Sequence, residues 1–152
     1  FDQIAESKNL EVKNARRREN IHKHIDKYVT EENDKRVETW SVDIKARKKT
    51  SRKDTDVQDE WIWIEFQNVR GNLGWLYGEA DNIAFETQDS FVIVDRKSLI
   101  NYVEGAVDMG KPVRKSFLAK YKTYQRAGRN DLLTMVELSK IKENCNHFVW
   151  QK

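Results

Sequence analysis

The chain of 152 residues holds a single cysteine, Cys145, which excludes an intrachain disulfide and leads us to expect a reducing, cytoplasmic compartment. No run of 18 apolar residues occurs, so no helical membrane span is expected. The histidines His22, His24 and His147 have no ligand spacing with Cys145, which removes zinc sites of the His/Cys kind. A glycine loop of the P-loop or dinucleotide type is also missing, as are internal repeats and low-complexity linkers. No signal-like pattern follows Phe1, and a start upstream of Phe1 is expected. One domain over residues 1–152, with a real core, fits this length.

Charge and aromatic rings are abundant. Charged residues make up 35% of the chain and apolar ones 38%, with five Trp, five Tyr and six Phe, so the core must be economical and largely aromatic. The net charge is only +3, but it is unevenly spread. Six of the nine residues from Lys45 to Lys53 are basic, and Lys111 to Arg129 holds seven Lys or Arg and no acid. Such blocks favour a polyanionic partner, nucleic acid first, although a solvated face has the same composition.

Helical spacing predicts a helix over residues 10–29, with Leu10, Ala15, Ile21, Ile25 and Tyr28 or Val29 as its buried stripe. Strand alternation runs from Val37 through Trp40, Val42 and Ile44. A polar loop, "KKTSRKDTDVQDE", then reads as the tip of a long hairpin whose second strand is "WIWIEFQ". "NIAFE" and "FVIVD" read as strands joined by "TQDS". Further helices are expected from Ser98 to Met109, over residues 113–127 and in "ELSKIKEN", with "LLTMV" as an edge strand. This pattern predicts an α/β domain with a mostly mixed sheet of about four or five strands.

Side chains repeat with period two along a strand, so Asp43 shares a face with Lys45, and Glu65 shares one with Gln67. As hairpin neighbours the two acids would stand about 4.5–5.5 Å apart at Cβ. Two carboxylates that close repel unless one is protonated or a cation sits between them, and a hard ion such as Mg²⁺ or Mn²⁺ with oxygen ligands is the natural remedy. A wet antiparallel face offers a plainer account, with Lys45 as a cross-strand partner of Glu65. Trp61 and Trp63 on Glu65's face favour a cleft wall instead.

With these residues in hand, the chain resembles the PD-(D/E)xK nucleases, the restriction-endonuclease-like superfamily that includes Holliday-junction resolvases and repair endonucleases. The resemblance covers residues 15–95 and rests on a short, degenerate motif. It implies a central mixed β-sheet flanked by helices and Mg²⁺- or Mn²⁺-dependent hydrolysis of DNA. Asp43 falls on the family's first Asp, Glu65 on its second acid, and Gln67 on the position usually held by Lys. Glu19 is similar in place to an acid that some members add to the metal shell. Gln67 is neutral and cannot accept a proton, so Lys45 is expected to supply the missing positive charge. A second registration takes Asp43-x-Lys45 as the acid-x-Lys motif, with Asp34 or Asp26 as the first Asp. Asp81 either begins a strand beside Glu65 and completes the site or caps "WLYGEA".

The resemblance further implies a metal-dependent endonuclease in which Asp43, Glu65, Lys45 and Gln67 act at the phosphodiester. Asp43 and Glu65, with Glu19, would hold the metal. Arg47, Lys48, Lys49, Arg52 and Lys53, together with Arg114, Lys115 and Lys122 on the later basic helix, are expected to grip phosphates without reading sequence. A catalytically inactive nuclease fold that only binds DNA is the alternative. Cutting both strands would need a homodimer or two successive nicks.

Overall fold

The expected strands form at Val37–Lys45 (β3), where apolar and polar residues alternate, and at Trp61–Gln67 (β4). A computed structural model, which describes residues 1–152, assigns these two strands to different sheets. The chain is α/β, with ten strands in two mixed sheets and four short helices. It divides into two compact units, each assembled from separated segments. The first comprises Phe1–Ala46, Gly78–Arg96 and His147–Lys152, and the second Arg47–Tyr77 and Lys97–Asn146.

The first unit carries a six-stranded sheet in the order β1-β2-β3-β5-β6-β10. Its other strands are β1 Glu11–Asn14, β2 Lys27–Glu32, β5 Asn82–Glu86, β6 Ser90–Asp95 and β10 His147–Gln151. β3 runs antiparallel to β2 and parallel to β5. Parallel neighbours need a connection of a dozen or more residues, and residues 46–81 supply it. "NIAFE" and "FVIVD" pair as the expected antiparallel hairpin, with Ile83, Ala84, Val92, Ile93 and Val94 almost fully buried. One face packs Val29, Val42, Ala84, Phe91, Ile93 and Trp150 against Ala5 of helix α1 (Asp2–Ser7). Phe1 and Trp40 extend this cluster, with their rings 5.0 and 5.9 Å from that of Trp150.

The helix expected over residues 10–29 does not form. β1, helix α2 (Arg17–Lys23) and β2 replace it. Val12 and Val29 pair across the β1–β2 ladder and pack into the core, where β-branched side chains suit a pleated surface. Ile21, assigned to the buried stripe, is 52% exposed on α2. His24 ends that helix in the left-handed conformation, at φ 54°, where the chain turns back into β2.

The second unit carries a four-stranded sheet in the order β4-β9-β8-β7, with β7 Asp108–Val113, β8 Lys122–Tyr124 and β9 Leu132–Glu137. Helices α3 (Arg96–Ala106) and α4 (Leu138–Asn144) correspond to the helices expected from Ser98 to Met109 and in "ELSKIKEN". "LLTMV" is an interior strand and not an edge, since β9 pairs with β4 on one side and β8 on the other. The basic helix expected over residues 113–127 is absent. In its place stand the end of β7, a single 3₁₀ turn at Ser116–Leu118 and β8. Phe117 is 67% exposed, and Tyr121 has a positive φ that no helix interior accommodates. Pro112 lies in β7, an edge strand, where a missing N–H costs little.

No helix is long and apolar enough to cross a membrane.

Candidate functional site

On β3, Trp40, Val42 and Ile44 turn toward the core that α1 covers, so Ser41, Asp43 and Lys45 occupy the opposite face. Asp43 is only 3% exposed. Lys45 Nζ lies 3.0 Å from Asp43 Oδ2, an ion pair at a buried oxygen. Asp26, just before β2, stands across the ladder at the same level. Its backbone N–H donates to Val42 O at 2.8 Å, and its Oδ2 accepts the Ile44 N–H at 2.7 Å. Asn20 Nδ2 donates to Asp26 Oδ1 at 2.5 Å, which ties the carboxylate to α2.

Burial pushes the Asp43 carboxyl from 3.8 up to about 7. The Lys45 charge pulls it down, and the neighbouring Asp26 pushes it up again. The outcome is a buried acid poised between its protonation states near neutral pH.

Further along the same face, the Tyr28 hydroxyl donates a short hydrogen bond to Glu19 on α2. That bond, reinforced by the Arg16 backbone N–H, holds the Glu19 carboxyl below its ordinary range. Tyr28 pairs with Ser41 across the β2–β3 ladder. Ser41 N donates to Asp81 Oδ2 at 2.8 Å, and Asp81 N donates back to Ser41 Oγ at 2.9 Å. The turn before Asp81 is held against α2, where Glu79 N donates to Lys23 O at 2.9 Å. Gly78 makes this approach feasible, because a Cβ there would meet Lys23 O and His24 Cβ at 2.9 Å. Asp81 therefore lies beside β3.

Four of the acids and bases singled out from sequence, Glu19, Asp43, Lys45 and Asp81, thus belong to one unit, where Asp26 joins them. No three His, Cys, Asp or Glu side chains converge on a single metal position. No protein-family model, no curated protein and no solved structure matches the chain. The geometry of the site therefore carries the functional argument.

Glu65 and Gln67 belong to the second unit, and the expected hairpin of β3 with β4 does not exist, since β4 pairs only with β9. The physical reason is burial. β5, with Ile83, Ala84 and Phe85 nearly inaccessible, fits a place between β3 and β6, whereas β4 presents half-buried Trp61 and Trp63 on one side. Glu65 Oε1 accepts the Trp75 N–H at 3.3 Å, and Gln67 Nε2 donates to Asn130 O at 2.5 Å. Both side chains secure loops of their own unit. Gly74 packs so closely on β4 that a Cβ would lie 2.4 Å from Glu65 O, which accounts for a glycine in "RGNLGWLYG".

The predicted phosphate-gripping residues fall in the second unit. Arg47 Nε pairs with Asp59 at 2.6 Å. Lys48, Lys49, Arg52 and Lys53 line a cleft of about 770 Å³ together with Trp63 and Tyr124. Arg114 Nη1 donates to Gln125 O at 3.3 Å, Lys115 lies 5.9 Å from the Phe117 ring centre, and Lys122 is on β8. These last three occupy a strand end and a turn, not a helix face. Spacing offered no signal for Asn20, Tyr28 or Ser41, whose roles come from which strand lies next to which.

Proposed function

We propose that the chain is a metal-dependent DNA endonuclease of the restriction-endonuclease-like kind, with its reactive centre at Asp26, Asp43 and Lys45. The observation that carries this reading is the buried Asp43 carboxylate, with Lys45 Nζ at 3.0 Å and the Asp26 carboxyl alongside. This geometry favours the registration in which Asp43-x-Lys45 is the acid-x-Lys motif and Asp26 the first acid. It also removes the difficulty of a neutral Gln67 at the Lys position. Glu19 and Asp81 are flanking acids, each already engaged by a hydroxyl or backbone donor.

The donor set suits a hard divalent ion. Mg²⁺ binds through one or two carboxylates plus waters and substrate phosphate, and Asp26 and Asp43 supply two oxygen-donor groups, one of them buried beside Lys45. The ion would lower the pKa of a bound water and neutralise charge on the phosphate. Lys45 would set its ammonium against the developing negative charge of the phosphorane. The Asn20 amide and the Ile44 N–H would keep the Asp26 carboxylate from rotating away. Cleavage of both strands would use a second subunit or two nicks in succession.

The test is single-turnover cleavage of end-labelled DNA with Mg²⁺ or Mn²⁺. Lys45→Ala should cut the rate by about 10²-fold or more with DNA affinity nearly unchanged, because its contribution is made in the transition state. A dead Gln67→Ala beside an active Lys45→Ala would return the centre to Glu65 and Gln67. DNA binding with no cleavage under any divalent ion would mark a catalytically inactive nuclease fold.

A further inference from the structure

The second unit holds a binding feature that the cleavage chemistry does not use. Cross-strand partners of an antiparallel pair share a face, so the registers Glu65↔Leu133 and Tyr124↔Leu133, with Trp63 two residues from Glu65, put Trp63, Leu133 and Tyr124 on one side of the sheet. The other side is closed, with Ile64, Thr134 and Val136 fully buried. Trp63 and Tyr124 are half-buried and stand 5.9 Å apart, their planes inclined at 42°. They floor the cleft of about 770 Å³, a volume within the range that takes a nucleotide-sized ligand.

The rim is cationic and organised. Lys49 O accepts the Trp63 indole N–H at 2.9 Å, which fixes both the ring and the loop above it. Gln58 N donates to Lys48 O at 3.1 Å, and Asp54 accepts from Thr50 Oγ1 at 2.6 Å and Ser51 N at 2.9 Å. The Asp54 carboxylate is thereby turned into its own loop, and no acid lines the cleft. Arg126 is neutralised by Asp131 at 2.5 Å, whereas Lys48, Lys49, Arg52 and Lys53 make no ion pair. An aromatic floor beneath cations that make no ion pair is complementary to a flat base joined to a phosphate.

We propose that this cleft binds an unpaired nucleobase, stacked on Trp63 and Tyr124, with the phosphates of its strand over Lys48, Lys49, Arg52 and Lys53. The inference stands on the cleft alone and goes beyond the cleavage reading. A fully paired duplex buries the faces of its bases, so it reaches the rim cations and leaves the floor unused. Stacking on an aromatic side chain tolerates any base, so the cleft selects single-stranded or unpaired segments without reading sequence.

The experiment measures binding of a labelled strand of about 12 deoxythymidines, within the usual range of single-strand site sizes, and of a duplex of equal length. EDTA is present throughout, so cleavage plays no part. Trp63→Ala should weaken single-strand binding by about 5- to 150-fold and duplex binding by less than about 2-fold, while Trp63→Phe retains most of the affinity. Asp43→Asn should leave single-strand binding intact, so loss of cleavage and loss of this site are told apart. Photo-cross-linking of a bromodeoxyuridine-substituted strand to the unaltered protein should label Trp63 or Tyr124, a readout that needs no variant to fold. Equal losses on both substrates, no loss on the single strand, or cross-links confined to residues outside the cleft would overturn the proposal.

Discussion

The two units of this protein hold charge in opposite ways. On the β3 face of the first, Asp43 is buried and every acid nearby has an internal partner: Lys45 for Asp43, Asn20 and a backbone N–H for Asp26, Tyr28 for Glu19, Ser41 for Asp81. In the cleft of the second, four cations stand on the rim without ion pairs, over half-buried rings. Buried charges carry a desolvation cost that only well-matched surroundings offset, so they are sensitive to single substitutions. Exposed cations cost the fold little and reveal themselves in salt dependence. Chemistry suits the first environment and electrostatic capture the second.

The largest contrast should appear in cleavage. Asp43→Asn should lower the single-turnover rate by about 10³-fold or more, whereas Glu65→Gln should stay within about 5-fold, because in the proposed centre Asp43 and not Glu65 would help hold the divalent ion. Equal losses in the two variants would dissolve the distinction between the units as far as chemistry is concerned.

Next comes stability against pH in metal-free buffer. The Asp43 carboxyl titrates near 3.8 when unfolded and at about 7 when folded, so between these values the folded state holds the extra proton. Its contribution therefore falls as pH rises from about 4 to about 7. Asp43→Asn removes that fall. The variant should gain on the unaltered protein by at most about 4 kcal/mol at pH 8 and by little at pH 4, as read from urea unfolding at both values. A pH-independent difference would show that burial does not perturb this carboxyl.

Gly74→Ala sharpens the role given to Glu65. The added methyl would meet the Glu65 backbone oxygen at 2.4 Å, a contact that no rotamer relieves. Destabilisation of about 1–3 kcal/mol is expected in denaturant unfolding, as for other overpacked sites. An unchanged midpoint would mean the loop lifts away from β4 at no cost.

The smallest effect is the salt dependence of the rim. Replacing Lys48, Lys49 and Arg52 together by Ala should weaken all duplex sequences alike. It should also flatten log K against log salt by roughly 0.9 per lost phosphate contact. Unfolding in urea should barely change, since these side chains make no ion pairs. An unchanged slope would leave the loop as solvated surface.

Local pattern alone determined β3, β4, the β5–β6 hairpin and α4, along with the shared face of Asp43 and Lys45. Each depends on the fixed period of side chains along a strand or helix, which a dozen residues suffice to express. The same local reasoning failed at residues 10–29 and 113–127. There, apolar residues that also fit a helical stripe were taken up by cross-strand partners, as Val29 was by Val12 and Tyr124 by Leu133. Only the tertiary structure decided that β2 and β5, and not β4, flank β3, and so that Asp43 has Asp26 for its neighbour and Glu65 serves another unit. Strand partners are chosen by burial and by connections tens of residues long. The carboxylate face and the aromatic cleft were therefore written in the sequence as residues, but their assembly rested on contacts that no short stretch of chain encodes.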